Sequence, residues 1–212
     1  MHCISSLRLA VPAILFFGLF VAGCQENAPP KSNTTTTTTV QANISSDDAS
    51  SVTNKPKVTV QVGSWTNVQQ MVAAHRGKVV VLDVWSTWCE PCVREFPNLV
   101  RLHREYADDV ACISLNIDYI GVPAEPPESF RDKVLEFARQ HEATFENVIS
   151  SDPDEEVLKA LDAFSVPVVQ VYDRDGNLRE TFTNDDDQYG DQGFTYEEHI
   201  IPLIETLRKG EG

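Results

Sequence analysis

The stretch GKVVVLDVWSTWCEPCVREFP, residues 77–97, decides the fold. Residues 78–85 (KVVVLDVW) are an almost unbroken apolar run rich in β-branched side chains. Such a run fits a central strand buried on both faces of a parallel sheet. WCEPC (88–92) follows at once, and residues 91–106 carry a helical pattern with Phe96, Leu99, Val100, Leu102 and His103 along it. A C-x-x-C pair therefore stands at a strand-to-helix junction. The first cysteine meets the unsatisfied N–H groups and dipole of a helix start, which stabilise a thiolate. The spacing lets both sulfurs meet within one turn, and Pro91 is tolerated in a first turn, where no N–H is needed. A zinc site would need two further ligands, and none lies near in the sequence. A purely structural disulfide closing so short a loop would stabilise little. Redox chemistry is the strongest reading left.

Outward from this core, residues 58–62 (VTVQV) alternate like an edge strand, and 66–75 read as a helix ended by Gly77. Residues 110–117 (VACISLNI) form a second buried strand, and 119–128 a proline-rich loop. A helix is expected over 130–141, a short strand over 145–149, and a helix over 154–164 with acids in its first turn. A strand at 168–172, a turn at 173–177 (DRDGN) and a strand at 178–183 make a hairpin. A polar insertion, 184–193, precedes a closing helix over 195–208. Strands alternating with helices, then a hairpin and a helix, imply an α/β domain with a mixed sheet flanked by helices.

Residues 77–97 resemble the thioredoxin-like fold, and within it the membrane-tethered or exported thiol–disulfide oxidoreductases of the TlpA/ResA type. The likeness spans roughly residues 64–208, and Phe164-Ser165-Val166-Pro167 resembles the family's cis-proline loop. Read without the family, Pro167 could equally be a trans proline opening an edge strand. The resemblance implies that Cys89 and Cys92 are the redox pair. It also implies that Trp88, Val166 and Pro167 bind substrate, with Val166 offering its backbone to an extended segment. Asp83, inside the apolar run, matches an acid that thioredoxins carry beneath the second cysteine. Burial would raise its pKa and let it exchange a proton with Cys92; the alternative is a side chain reaching water at the strand end. Glu95 falls where the cytochrome-maturation members show C-E-P-C-x-x-E-F-P, near the active-site cavity; the alternative is a solvated helix acid. Pro97 is expected to kink its helix. Family likeness further implies protein disulfides as substrates, those of exported proteins and of cytochrome c maturation among them, and a membrane electron donor for re-reduction.

The N-terminus has its own pattern. Arg8 flanks an apolar run, LAVPAILFFGLFVA (9–22), too short for a comfortable membrane span. Val21-Ala22-Gly23-Cys24 resembles a bacterial lipobox, so residues 1–23 read as an export signal and Cys24 as a lipidated anchor to the membrane. Ordinary cleavage and an uncleaved anchor are the other readings. The reading implies an exported lipoprotein facing the periplasm or extracytoplasmic space. Residues 24–57 hold almost no large apolar side chains, so they read as a disordered tether whose average span is about 30–35 Å. Residues 58–212 are then the folded domain.

Composition narrows function further. The chain has 212 residues and a formal net charge of -15, with no basic stripe, so a nucleic-acid partner is not expected. The histidines show no ligand spacing, and the acids at 185–187 lack the calcium-loop pattern, so no metal and no cofactor are expected. Five cysteines resolve as Cys3 in the signal, Cys24 at the lipid site, Cys89 with Cys92 as the working pair, and Cys112 as a buried inert thiol. Glu90, Glu95 and Asp83 oppose a Cys89 thiolate, whereas only Arg94 and the helix terminus favour it, which makes the dithiol a reductant. Two other functions compete. A peroxiredoxin-type thiol peroxidase needs P-x-x-x-T-x-x-C, but Thr87 precedes Cys89 by two positions and no proline stands upstream. A thioredoxin-fold binding or chaperone module would leave the cysteines incidental.

Overall fold

A computed structural model describes residues 56–210. Cys3, Cys24, the expected signal at 1–23 and nearly all of the expected tether lie outside the described residues. Six strands form one sheet in the order β1-β4-β3-β2-β5-β6. The strands are β1 Gln61–Gly63, β2 Val79–Trp85, β3 Val110–Asn116, β4 Glu146–Ser150, β5 Val168–Tyr172 and β6 Leu178–Thr183. The helices are α1 Trp65–Ala74, α2 Glu90–Tyr106, α3 Arg131–Gln140, α4 Asp154–Leu161 and α5 Ile201–Arg208. This is the thioredoxin-like fold that the resemblance implies.

The apolar run forms β2, and all seven of its residues are buried. It pairs with β3 in parallel and β5 antiparallel, so it is central and the sheet is mixed. Alternation then divides the core. Val79, Val81 and Trp85 face a cluster with α2, α5, Cys89 and Cys92. Val80, Leu82 and Val84 face a second cluster with α1 and α4. Trp85 packs its ring on Phe96 and Phe137, at centroid distances of 5.1 and 4.7 Å. These contacts seat α2 and α3 on the same sheet face.

Three elements differ from expectation by three residues or more, each for a local reason. β1 begins at Gln61 rather than at residue 58. Side chains take the preceding carbonyls instead of a strand: Asn147 donates to Thr59 O and Arg131 to Val60 O. α4 stops at Leu161, three residues early, because Asp162 adopts a left-handed conformation (φ 54°) and donates its N–H back into the last turn. The closing helix is not uniform. Residues Tyr196–Ile200 wind as a π turn before α5 begins. Pro202 has no N–H to give to the carbonyl four residues back, so a regular α ladder cannot run through this segment.

Candidate active site

The site is built where β2 ends. Ser86, Thr87 and Trp88 leave the sheet, and Asp118, just beyond β3, anchors the turn. Its carboxylate accepts from Thr87 N at 2.8 Å and from Thr87 Oγ1 at 2.5 Å. Cys89 is the N-cap of α2, and its Sγ accepts from Cys92 N–H at 3.2 Å. A cap position leaves helix-start N–H groups unpaired, and here one of them points at the Cys89 sulfur, where it would stabilise a thiolate. Cys89 and Cys92 are joined as a disulfide. Both are buried, Cys89 at 5% exposure, whereas Trp88 beside them is 65% exposed.

The second wall comes from the N-terminal end of β5. The Val166–Pro167 peptide is cis, as the loop resemblance implies. Val168 pairs with Val84, and β5 runs antiparallel to β2, so this loop starts at the sheet end where the Cys89 turn leaves. Pro167 is buried and Val166 half-buried, while Phe164 is 89% exposed. Phe164 and Ser165 are held from outside. The Asp185 carboxylate accepts from Phe164 N at 2.9 Å and from Ser165 Oγ at 3.1 Å. The polar insertion thus braces the cis-proline loop, a role its composition did not suggest.

Asp83 does not reach water: it is 5% exposed, between Val81 and Trp85 on the face that carries α2. Burial pushes its carboxyl up to about 7, a hydrogen bond from Tyr196 pulls it down, and the charge of Glu95 adds to the rise. Tyr196 Oη donates to Asp83 Oδ2 at 2.5 Å. Burial and the neighbouring Asp83 hold the Tyr196 hydroxyl well above its ordinary range, so it remains a donor. Glu95 is half-buried and accepts from Tyr196 N at 3.2 Å and Asn98 Nδ2 at 3.1 Å. One residue therefore touches both acids. Cys112 is buried and unpaired, and burial together with Asp83 raises its thiol far above the reactive range.

Arg94 is not poised at the sulfur. It pairs with Glu90 at 3.3 Å on the exposed side of α2. Exposed pairs of this kind contribute little. The helix start is left as the main stabiliser of a Cys89 thiolate. Among the described residues no group of three or more His, Cys, Asp or Glu side chains is arranged to hold a metal ion. Among the same residues no helix is long and apolar enough to cross a membrane. Sequence reasoning missed Tyr196, Asp118 and Asp185. Each meets its partner only after folding, Tyr196 across 113 positions from Asp83.

Residues 51–183 match the AhpC/TSA family. The thioredoxin-like protein YneN of Bacillus subtilis is 32% identical over 106 residues, covering 50% of this chain and 56% of that protein. The thiol-disulfide oxidoreductase ResA of Geobacillus kaustophilus is 31% identical over 116 residues, covering 54% of this chain and 60% of that protein. The chain thus spans little more than half the length of these relatives. The crystal structure of the exposed lipoprotein thioredoxin Etrx1 of Streptococcus pneumoniae superposes with a TM-score of 0.47 and 21% identity, over 64% of this chain and 90% of that one.

Proposed function

The chain belongs to the AhpC/TSA family, and from that premise and the geometry at Cys89 we propose that it is a thiol–disulfide oxidoreductase. One observation carries the reading: a cysteine pair able to close at the N-terminus of α2, on the sheet face that holds a buried carboxyl titrating near neutrality. The cycle starts from the dithiol. Cys89 thiolate attacks one sulfur of a substrate disulfide, forming a Cys89–substrate bond and releasing the other substrate sulfur as a thiolate. Asp83 takes the proton of the Cys92 thiol. Cys92 then attacks Cys89, closing the intramolecular disulfide and expelling the second substrate thiolate, which is protonated from Asp83 or solvent. Two electrons pass from the dithiol to the substrate. Glu95 raises the proton affinity of Asp83 and so favours the protonated acid.

Trp88, Val166 and Pro167 would seat the substrate, with the Val166 backbone pairing to an extended segment. The acids around Cys89 favour the reducing direction, with protein disulfides outside the cytoplasm as substrates, those of cytochrome c maturation included. A membrane electron donor would restore the dithiol. The Cys92→Ala variant should stop the cycle after the first step and accumulate substrate bonded through Cys89. Non-reducing gels and peptide mapping of the trapped species check this; a variant that traps nothing from exported proteins counts against the reading. The lipobox further implies that Cys24 carries lipid and tethers the domain. Intact mass of the membrane-extracted protein should show an acylated residue 24 as the new N-terminus, and an uncleaved, unmodified chain would overturn that part.

A further inference from the structure

We propose that Tyr196 is a positioning residue for the proton-transfer step: its hydroxyl fixes the Asp83 carboxylate and its backbone N–H fixes Glu95, so one turn at the C-terminus orients both acids. The inference rests on the thiol–disulfide reading above and extends it to a residue outside the cysteine motif. Three observations support it. First, Tyr196 is fully buried, and its hydroxyl meets the one carboxyl that β2 buries. A buried phenol needs an acceptor, and any backbone carbonyl would satisfy it. Here it meets the group whose proton the cycle uses.

Second, the turn that carries Tyr196 is held so that its own N–H must look outward for a partner. Thr195 caps the turn, accepting from Glu198 N, and Thr195 N donates to His199 Nδ1. The N–H of Tyr196 is one of the helix-start donors that lack an intrahelical acceptor. It is satisfied by Glu95 Oε2, a carboxylate from α2 at a helix N-terminus, where negative charge is favoured. Third, the ionisable groups that act on Asp83 are few among the described residues. Tyr196 faces it from the C-terminal turn and Glu95 from α2, and Cys112 on β3 shares its field. Of these only Tyr196 donates a hydrogen bond to it, and that bond favours the charged form. Without the hydroxyl, burial and Glu95 would act unopposed, and Asp83 would stay protonated through neutrality. A protonated Asp83 cannot accept the Cys92 proton.

Two measurements on the Tyr196→Phe variant of the folded protein test this. In the oxidised form, the Asp83 carboxyl is followed by carbon NMR against pH. Its midpoint should rise by about one to two pH units, the scale expected when a carboxylate loses a charge-assisted hydrogen bond. In the reduced form, Cys89 is converted to a mixed disulfide with a chromogenic aryl thiol, and release of that thiol reports the attack by Cys92. The acid limb of this rate should move upward with the carboxyl, slowing release at pH 7 by about ten-fold or more. In an Asp83→Asn background, which has no carboxyl at this position, Tyr196→Phe should add nothing to the release profile. An unmoved carboxyl midpoint overturns the inference. A moved midpoint with an unmoved rate profile also overturns it, because Tyr196 would then be structural. Loss of all exchange on Cys89→Ser alone speaks to the parent reading, and the carboxyl titration stands apart from it. Should Tyr196→Phe fail to fold, the wild-type phenolic proton serves. Its resonance should shift as Asp83 titrates, and a constant resonance across that range overturns the inference.

Discussion

Replacing Cys89 with serine should reduce insulin-disulfide reduction by at least about a thousand-fold, because no other group among the described residues is placed to form the mixed disulfide. The size of the loss follows from the absence of a substitute among the described residues. Cys92 lies inside the first turn of α2 and is buried, and its backbone N–H, aimed at Cys89 Sγ, serves the neighbouring sulfur. Cys112 is buried with a thiol raised far above the reactive range, and it lies on β3 beneath α2. A serine hydroxyl at position 89 would keep the N-cap, since serine is a good capping residue, so the helix should survive while the chemistry is lost. Insulin turbidity with excess dithiothreitol gives the measurement. The result also separates the competing functions. A binding or chaperone module would keep its activity in the serine variant, and a peroxidase would show cysteine-dependent consumption of hydrogen peroxide that exceeds disulfide reduction. Reduction that persists in Cys89→Ser removes the cysteine mechanism altogether.

The same contrast shows what a sequence can and cannot carry. Strand β2 was legible because burial on both faces demands a run of apolar residues, and Val79–Trp85 supplies one with a single interruption. The interruption itself, Asp83, was legible as a chemical group because a carboxyl in such a run is costly unless it stays neutral or finds a partner. The hairpin at Asp173–Asn177 was legible from its turn residues, with Gly176 taking a positive φ of 82°. Tyr196 was not. Nothing in YEEHI distinguishes an aromatic that fills a core from one that donates to a carboxylate on the far side of the chain. Asp185 was hidden for the same reason: read locally, an acid in NDDDQYGDQG is a solvated loop residue, yet it braces Phe164 and Ser165. Helix ends were misread where a backbone event overrode the pattern, at left-handed Asp162 and at Pro202.

The buried carboxyl makes a second large prediction, now for stability. In the folded protein Asp83 titrates near 7, against 3.8 for the free side chain. The folded state therefore binds a proton that the unfolded state has already released between those two values. Where the folded state binds more protons, stability falls as pH rises. The stabilisation from a neutral Asp83 is complete below about 3.8 and lost as pH rises through about 7. A gap of that size corresponds to about 4 kcal/mol of unfolding free energy. Other carboxylates act in the opposite sense. Asp109 is held low by Arg208 and Arg174, and Asp173 by hydrogen bonds from Asn177, so both favour folding at higher pH. The comparison must be made between proteins that differ only at position 83. Urea unfolding of oxidised wild type and Asp83→Asn at pH 4, 6 and 8 supplies it. The asparagine variant, whose amide oxygen can still accept from Tyr196, should gain stability relative to wild type as pH rises, with most of the change between 4 and 8. Curves that run parallel across this range would mean that Asp83 titrates as an ordinary carboxylate, and the proton-transfer role assigned to it would fall as well. The proposed proton transfer and the expected pH dependence of stability would have one physical origin. A carboxyl can take a thiol proton near neutrality only if it is buried enough to resist ionisation, and that same burial weakens the fold once the charge forms.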